Sequence, residues 1–432
     1  MKTVVLDDDP TGTQSATGVR VLLTWTLESI RESLAHASSI YIQTNSRALT
    51  EQAAVELIDS ITSAVKTALP DEDIRFILRG DSTLRGHVFA ESERLLTPDA
   101  LMVFVPAFPT GGRTTEGGVH YATVDGVKLP AGETEYASDP VFPFRNSDLA
   151  AYVREKSTRT PHYVPLAVVR GPIEELHEAF AKATPGSVVV PDATEDDDIV
   201  RIARAIEALE DQGQSVVVRS ASPLAAEFAG VRSERLLTAT VPASPGKVLL
   251  VCGSHTTGAT AQLEAFSETY GKPITLQTSA ALTDAQHAGH ELAKKAHAII
   301  GAGTTVSLAS ERARQADHNT LDHGDRVMTA LSTAARDLAP SVDTVIAKGG
   351  ITSAEIARVG LGATSADVVG QLLPGISLWE INTGEGRTLN YVVVPGNVGG
   401  PRTLIEVACS IGMRGNNQEP ARSMITGTPL AE

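Results

Sequence analysis

Cysteine is scarce in this chain, and so are aromatic residues and positive charge. Cys252 and Cys409 are the only cysteines, which excludes a disulfide framework and a cysteine-based zinc cluster. Lysine and arginine number 36 against 52 acidic residues, for a formal net charge of −16. A protein that neutralises nucleic-acid phosphates needs a basic face, so this charge argues against general nucleic-acid binding.

Long apolar runs are also missing. No stretch approaches the roughly 20 apolar residues of a membrane span. The first residues enter a strand-like segment directly, without the basic and then apolar leader of a secreted protein. We therefore expect a cytoplasmic protein that neither binds nor crosses a membrane.

The 432 residues that are present alternate strand and helix signals. This alternation predicts an α/β fold of two α/β domains with mainly parallel sheets and an active site in the cleft between them. The proline-containing segment 240–247 is the candidate linker. The predicted division is 1–242 for the first domain, 243–415 for the second and 416–432 for a polar tail.

Composition also predicts the local structure of three segments. Gly117–Pro143 is rich in glycine, proline and threonine and is expected to be a long loop or an excursion over the site. Val164–Val169 and Ala298–Gly301 are short apolar runs, and we expect strands there.

The segment VVLDDDPTGT, Val4–Thr13, is the first candidate site. Three apolar residues lead into Asp7, Asp8 and Asp9, and ligands of open α/β sheets bind at such carboxyl ends of strands. Adjacent carboxylates are costly unless a cation, a proton or a hydrogen-bonding ligand relieves them. The alternative is an aspartate-rich turn that caps the next element.

Other strand ends in the first half carry polar groups as well. One predicted strand ends in the polar cluster Thr44–Arg47. Arg85 and Arg113 follow other strands, with the hydroxyls of Ser82 and Thr83 nearby, and an arginine fork suits a carboxylate or a phosphate. Each arginine alone could equally be a surface ion pair. His120 is either an acid or base or a satisfied polar residue.

Glycine turns follow three predicted strands of the second half. They are Gly253-Ser254, Gly349-Gly350 and Gly396–Gly400. Glycine at the start of a helix lets a phosphate approach unpaired backbone N–H groups, so three such turns on one sheet edge predict a phosphate-binding crevice. The patterns of the P-loop and of G-x-G-x-x-G are absent.

Taken together, six motifs occur in an order that resembles the four-carbon acid sugar kinase family. They are DDPTG (Asp8–Gly12), DSTLRG (Asp81–Gly86), PAFPTGGRTTEGGVH (Pro106–His120), GSHTTGATAQ (Gly253–Gln262), GGITSAEI (Gly349–Ile356) and PGNVGG (Pro395–Gly400). The resemblance implies an N-terminal acid-sugar-binding domain, a C-terminal nucleotide-binding domain and ATP-dependent phosphorylation of a hydroxyl.

The resemblance also implies roles for single residues. Asp8 and Asp9 would face the sugar acid, and Arg85 and Arg113 would bind its carboxylate. The residues expected to hold ATP are Ser254, Gly349, Gly350, Ile351, Thr352, Gly396, Asn397 and Gly399. The chain departs from the family pattern at Ile351, often acidic, at Val394, often lysine, and at Asp7, commonly a small residue.

Phosphoryl transfer requires alignment of the hydroxyl, neutralisation of phosphate charge and removal of a proton. Asp8 or Asp9 would accept that proton or hold Mg²⁺, and the sequence leaves both roles open and assigns no metal ligand. Closure of the two domains would exclude water. The expected partners are a sugar acid and a nucleotide, and a homodimer stays an open option.

Two alternatives accompany the kinase hypothesis. VVLDDDPTGT also fits loosely the haloacid dehalogenase phosphatase signature, with Asp7 as nucleophile and Asp9 as acid or base. The other alternative is a ligand-binding protein that keeps the kinase fold without catalysis.

Overall fold

The computed structural model describes residues 1–124, 126–238, 244–300, 305–312 and 321–413. The predicted boundary at 242/243 and the predicted tail 416–432 lie outside these ranges, as does the first half of the predicted linker, 240–243. None of the helices in the described ranges is long and apolar enough to cross a membrane.

Strands and helices alternate through the N-terminal half. Its strands are β1 Lys2–Asp7, β2 Arg20–Leu22, β3 Ser39–Gln43, β4 Ile74–Arg79, β5 Leu101–Val105, β6 Arg113–Glu116, β7 Val119–Val124, β8 Val127–Pro130, β9 Pro161–Val164, β10 Val188–Pro191 and β11 Val216–Ser220. Its helices are α1 Leu27–Ala35, α2 Glu51–Ala68, α3 Val88–Ser92, α4 Leu149–Lys156, α5 Leu166–Val169, α6 Ile173–Ala181, α7 Asp196–Asp211 and α8 Ser222–Phe228. Short 3₁₀ turns follow β1 and β3, at Pro10–Ser15 and Ser46–Ala48.

The C-terminal half repeats this alternation and adds an antiparallel hairpin. Its strands are β12 Val248–Cys252, β13 Ile274–Leu276, β14 Thr305–Ser310, β15 Thr344–Lys348, β16 Ser365–Leu373, β17 Ile376–Asn382 and β18 Thr388–Val394. Its helices are α9 Thr257–Tyr270, α10 Thr278–Thr283, α11 Ala285–Ile300, α12 Leu321–Leu338, α13 Gly350–Glu355 and α14 Thr403–Ser410. A π-helical turn, Ile356–Gly360, continues α13.

The two halves share one mixed sheet. Within the described residues it has 15 strands, in the order β13-β14-β12-β15-β18-β17-β16-β2-β3-β1-β4-β11-β5-β10-β9. Pairing is parallel within each half except at β16 and β17, and the halves join where β16 runs antiparallel to β2. The predicted α/β fold with mainly parallel pairing is confirmed, and the antiparallel hairpin β16–β17 connects the parallel parts of the two halves within one sheet.

Local sequence explains the best-predicted elements. Thr50 caps α2 by accepting a hydrogen bond from the Ala53 amide, and the apolar positions Ala54, Ile58, Ile61 and Val65 form the buried face of that helix. In β1 the residues Val4, Val5 and Leu6 are all buried, as expected for an interior parallel strand that is covered on both faces.

Three local predictions from composition need correction. Gly117–Pro143 contains β7 and β8, which pair with β6 in a small antiparallel sheet, although its end does reach the candidate site described below. In Val164–Val169 the strand β9 ends at Val164, and Leu166–Val169 form α5 after Pro165. Ala298–Ile300 are the last turn of α11, because a short apolar run fits a buried helix face as well as a strand.

Candidate active site

A cavity of about 320 Å³ opens between the two halves at the carboxyl ends of their strands. Both halves contribute to its wall. The N-terminal half supplies Asp9, Thr11, Arg47, Ala48, Asp81, Arg85 and Asp139–Phe142, and the C-terminal half supplies Gly253–Thr256, Thr278, His323–Asp325, Val327, Met328, Gly349–Thr352, Gly396 and Asn397. The first set is mainly charged, and the second is mainly glycine, hydroxyl and apolar groups.

The aspartates after β1 surround one buried guanidinium. Nη1 of Arg79, at the end of β4, lies 3.1 Å from Oδ1 of Asp7, 3.0 Å from Oδ1 of Asp8 and 2.9 Å from Oδ1 of Asp9. Nη2 of Arg79 donates to the Thr11 hydroxyl. All three carboxylates are buried, and of the three only Asp9 lines the cavity. Arg79 therefore provides the positive charge that an aspartate triplet needs.

Asp9 caps a turn and also lines the cavity. Its Oδ1 atom accepts a hydrogen bond of 2.8 Å from the Thr11 amide and so caps the 3₁₀ turn that follows. Its Oδ2 atom pairs with Arg47 and lies against Gly350 of the C-terminal half. The capping interpretation and the site interpretation are thus compatible.

Asp7 is in a different environment from its neighbours. Burial raises the pKa of Asp7 to about 7, although the charge of Arg79 opposes this change. The carboxylate packs against Gly12, where a Cβ atom would collide with it. Near neutral pH a proton on Asp7 would thus relieve part of the negative charge in the triplet.

A second ion-pair network surrounds the triplet. Arg47 lies 3.4 Å from Asp81 and 3.6 Å from Asp8, in addition to its pair with Asp9. Arg219, at the end of β11, pairs with Glu91 and lies 3.7 Å from Asp8. Isolated buried charges are strongly disfavoured, so each of these guanidinium groups offsets part of the cost of burying the carboxylates next to it.

The turn after β4 presents Asp81 and Arg85 to the cavity. Nε of Arg85 lies 2.7 Å from Oδ2 of Asp81, and Nη1 lies 3.6 Å from Asp139. Burial would raise the pKa of Asp81, but Arg85 and Arg47 outweigh burial and hold that pKa below its ordinary value. Leu84 in this turn has φ 68°. A bulky residue in the left-handed region is strained, which is common at functional turns.

Four of the proposed substrate-site residues do not line the cavity: Ser82, Thr83, Arg113 and His120. The hydroxyl of Thr83 bonds to Asp81, and Arg113 donates to the carbonyls of Gly111 and Asn397, linking the two halves. These four residues lie around the side chains that form the cavity wall and are not part of the wall itself.

His120 has both ring nitrogens in hydrogen bonds. Nε2 lies 2.8 Å from the Ser82 carbonyl, and Nδ1 lies 3.0 Å from the Thr115 hydroxyl. Burial lowers the pKa of His120 to about 4. A neutral imidazole that donates through Nε2 and accepts through Nδ1 satisfies these contacts, which favours the satisfied polar residue over the acid or base.

The three glycine turns of the C-terminal half meet, as the sequence predicted. They follow β12, β15 and β18, which are neighbours in the sheet. Gly349 has φ 117°, and a Cβ atom there would come 3.0 Å from Cβ of Ser254. A Cβ on Gly396 would come 2.7 Å from the Ser254 hydroxyl. Glycine is required for this close packing, which brings backbone from three strands to one part of the cavity.

Lys348 supports these turns from inside. It is fully buried at the end of β15, and its Nζ donates to the Pro395 carbonyl over 2.6 Å. Burial lowers the pKa of Lys348 to about 7. Val394, one of the departures from the family pattern, is its buried partner in β18. Ile351, another departure, lines the cavity and is 37% exposed.

The aspartate triplet does not fit a metal centre, although its oxygens lie within 4.8 Å of one another. Arg79 already occupies the space between the three Oδ1 atoms. Mg²⁺ in phosphoryl-transfer sites is usually held by one or two carboxylates together with substrate phosphates. Asp81, which follows β4 on the cavity wall, is a carboxylate outside the triplet that fits that pattern.

Much of the charged N-terminal wall of the cavity, and of the ion-pair network beside it, was not predicted from the sequence. Arg47 belongs to the polar cluster noted after β3, but no role followed from it, and Asp139 lies in the segment predicted as an excursion. Arg79, Arg219 and Glu91 had no signal beyond their place at or after strands. Of the residues predicted to hold ATP, Gly399 does not line the cavity, and its φ of 84° shapes the last turn.

Two family models match the two halves of the chain separately. The model of a sugar-binding N-terminal domain matches residues 3–228, and that of a nucleotide-binding C-terminal domain matches residues 249–404. The chain belongs to the four-carbon acid sugar kinase family.

Two curated relatives show the extent of the similarity. D-threonate kinase of Bordetella bronchiseptica is 31% identical over 79% of this chain and 78% of its own. D-erythronate kinase of Heliobacterium modesticaldum is 30% identical over 63% of each chain, so the match spans less than two thirds of that relative. A Haemophilus influenzae protein of family DUF1537 shares the fold, with a TM-score of 0.59 at 19% identity over 94% of this chain and 100% of its own.

Proposed function

We propose that this chain is an ATP-dependent kinase that phosphorylates a hydroxyl of a four-carbon sugar acid such as threonate, erythronate or 3-oxo-tetronate. The observation that carries the proposal is one cavity with a carboxylate-and-arginine wall on one side and three glycine turns on the other. Family membership favours this kinase over the phosphatase alternative, whose nucleophile Asp7 is buried away from the cavity wall.

The charged wall suits a small polyhydroxylated acid. Arg85 would bind the carboxylate of the substrate, because a guanidinium offers several N–H donors in one plane. Asp81 and Asp139 flank Arg85 and would accept hydrogen bonds from substrate hydroxyls. Asp9 would accept the proton of the attacking hydroxyl, since it is the aspartate of the triplet that lines the cavity.

The glycine wall suits a nucleotide. Backbone groups of the turns at Ser254, Gly349 and Gly396 would surround the phosphates. α9 begins at one of these turns with Thr256 as its cap. Val327 and Met328 of α12 give apolar surface for the base. Mg²⁺ bound with the nucleotide would neutralise phosphate charge, with Asp81 as the fitting carboxylate.

The test is a panel of four-carbon sugar acids incubated with ATP and Mg²⁺. ADP release and a phosphate ester seen by mass spectrometry are the expected results for at least one acid, and a joint thermal shift with ATP should identify it. Release of phosphate from a sugar phosphate without ATP would instead support the phosphatase. Tight binding without turnover would support the non-catalytic alternative.

A further inference from the structure

Arg47 sits on a segment that reaches from the N-terminal half to the C-terminal half. The segment begins at Asn45, which has φ 49°, a strained conformation for a residue other than glycine. Nδ2 of Asn45 donates to Oε1 of Glu355 over 3.0 Å. This hydrogen bond crosses between the halves and fixes the start of the 3₁₀ turn that carries Arg47.

The guanidinium of Arg47 lies between the two walls of the cavity. On one side it pairs with Asp9 and lies 3.4 Å from Asp81. On the other side it lies against Gly350, where a Cβ atom would come 2.8 Å from Nη2 of Arg47. Arg47 lines the cavity together with all three of these residues.

The other arginines of the network are placed differently. Arg79 and Arg219 are 1% exposed among their carboxylates and do not line the cavity. Arg85 pairs with Asp81 and Asp139 and lies 5.2 Å from the ring of Tyr136, all in the N-terminal half. Arg47 is thus the cavity-lining arginine, within the described part of the chain, that contacts both walls.

We propose that Arg47 is a catalytic residue that binds the phosphoryl group during its transfer from the glycine turns to the sugar acid. The inference rests on the proposed kinase function and adds a residue from the opposite half to the nucleotide site. An arginine fork matches phosphate oxygens, and an arginine brought to a phosphoryl group in this way stabilises the charge of the transition state.

The proposed phosphoryl transfer needs no proton from Arg47. The acceptor hydroxyl oxygen bonds to the γ-phosphorus, and the bond from that phosphorus to the β–γ bridging oxygen breaks, with its electron pair left on ADP. The hydroxyl proton passes to Asp9. Arg47 contributes N–H hydrogen bonds to the non-bridging oxygens, where it shares its charge between them and Asp9.

The test compares Arg47→Ala and Arg47→Lys with a matched control, Arg75→Ala. Arg75 also pairs with a carboxylate, that of Glu210, and its side chain is 10% exposed against 12% for Arg47. It lies in β4 and does not line the cavity. We expect kcat to fall by about 10³-fold in Arg47→Ala, with smaller changes in the two KM values, and to stay near wild type in Arg75→Ala.

A binding measurement separates catalysis from structural support. ADP with Mg²⁺ and the sugar acid should bind the wild type more tightly when aluminium fluoride is added, because the fluoride complex imitates the phosphoryl group in transfer. Arg47→Ala should keep its affinity for ADP and lose this enhancement. Arg47→Lys retains a buried charge without the fork, so it should fold even if Arg47→Ala does not, and should also lose most of kcat.

Three outcomes would overturn the assignment. An intact aluminium fluoride enhancement in both Arg47 variants would mean that Arg47 does not contact the phosphoryl group. A raised KM for the sugar acid at unchanged kcat would make Arg47 a carboxylate anchor. An equal loss of kcat in Arg75→Ala would point to general damage. If the wild type phosphorylated none of the acids, the kinase proposal itself would fail, whereas any of the three outcomes above with an active wild type would overturn the role of Arg47 alone.

Discussion

The two walls of the cavity are built on opposite principles. The N-terminal wall contains charged side chains that neutralise one another: Arg47 pairs with Asp9 and lies 3.4 Å from Asp81. The C-terminal wall consists of glycine turns that pack so closely that a Cβ atom on Gly349 or Gly396 would crowd Ser254.

The difference shows how each wall can fail. In the charged wall, removal of one group leaves its partners buried without compensation, which is strongly destabilising. In the glycine wall, addition of one atom displaces the backbone, while most of the surrounding core is unaffected. The charged wall should thus couple activity to stability, and the glycine wall should separate them.

Loss of the Asp9 charge should have the largest effect. Asn at position 9 can still cap the turn through its side-chain oxygen, but it is a far weaker proton acceptor. We expect Asp9→Asn to lower kcat by about 10²–10⁴-fold, the usual contribution of a general base. Steady-state ADP release, with ligand affinities from calorimetry, measures this. A kcat close to wild type would exclude Asp9 as the base.

Asp8→Ala should destabilise the folded protein, because Asp8 belongs to the buried ion-pair network next to the cavity. The sequence alone predicts loss of phosphoryl transfer with little change in the unfolding midpoint, whereas the structure predicts a large change. Asp8 is 1% exposed and lies beside Arg79, Arg47 and Arg219. We expect a loss of about 3–5 kcal/mol in the free energy of unfolding, as for other broken buried ion pairs. Denaturant unfolding would measure it, and an unchanged midpoint would show that the network contributes little to stability.

Gly350→Ala should test the contact between the two walls. A methyl group at this position would collide with Asp9 and approach Nη2 of Arg47 to 2.8 Å. Overpacking of this kind costs about 1–3 kcal/mol. Because the collision would displace Asp9 and Arg47, we expect its main effect to be a lower kcat. Gly258→Ala in α9 is the matched control, because nothing lies within 4 Å of its added Cβ. Equal rates in the two variants would contradict the contact.

The effect of Asp7 should depend on pH. The pKa of Asp7 is raised to about 7 in the folded protein from 3.8. The folded state thus binds the proton more tightly than the unfolded state does. The stabilisation that this proton gives is fully present below about pH 4 and is lost as pH rises through 7. Asn cannot ionise, so the unfolding midpoint of Asp7→Asn should rise relative to that of the wild type as the pH increases from 5 to 8. A difference that is constant with pH would contradict the raised pKa.

Much of the glycine wall could be predicted from the sequence, because each turn is a local pattern of strand, glycine and helix. The three turns meet because β12, β15 and β18 are parallel neighbours and so end at the same edge. The charged wall was predicted only in part. Asp9, Asp81 and Arg85 occur in recognisable turns, but Arg79 and Arg219 are ordinary residues at strand ends until the sheet order places them together.

The hairpin β16–β17 was also missed. It joins the two halves of the sheet where Ala366 pairs with Val21. It also carries Trp379, whose Nε1 donates to the Thr13 hydroxyl over 3.0 Å. Its strands have no helix between them and do not follow the alternation seen elsewhere. A pairing between segments more than 340 residues apart leaves no mark in local composition.

The sequence by itself determined the alternation of strands and helices, the positions of the glycine turns and the presence of three adjacent aspartates, since each depends on neighbouring residues. The tertiary structure decided which aspartate reaches the cavity and which arginine neutralises the others. Arg79 lies 70 positions from Asp9, and only the folded sheet brings the two within hydrogen-bond distance, where the energy of a buried charge depends on every group around it.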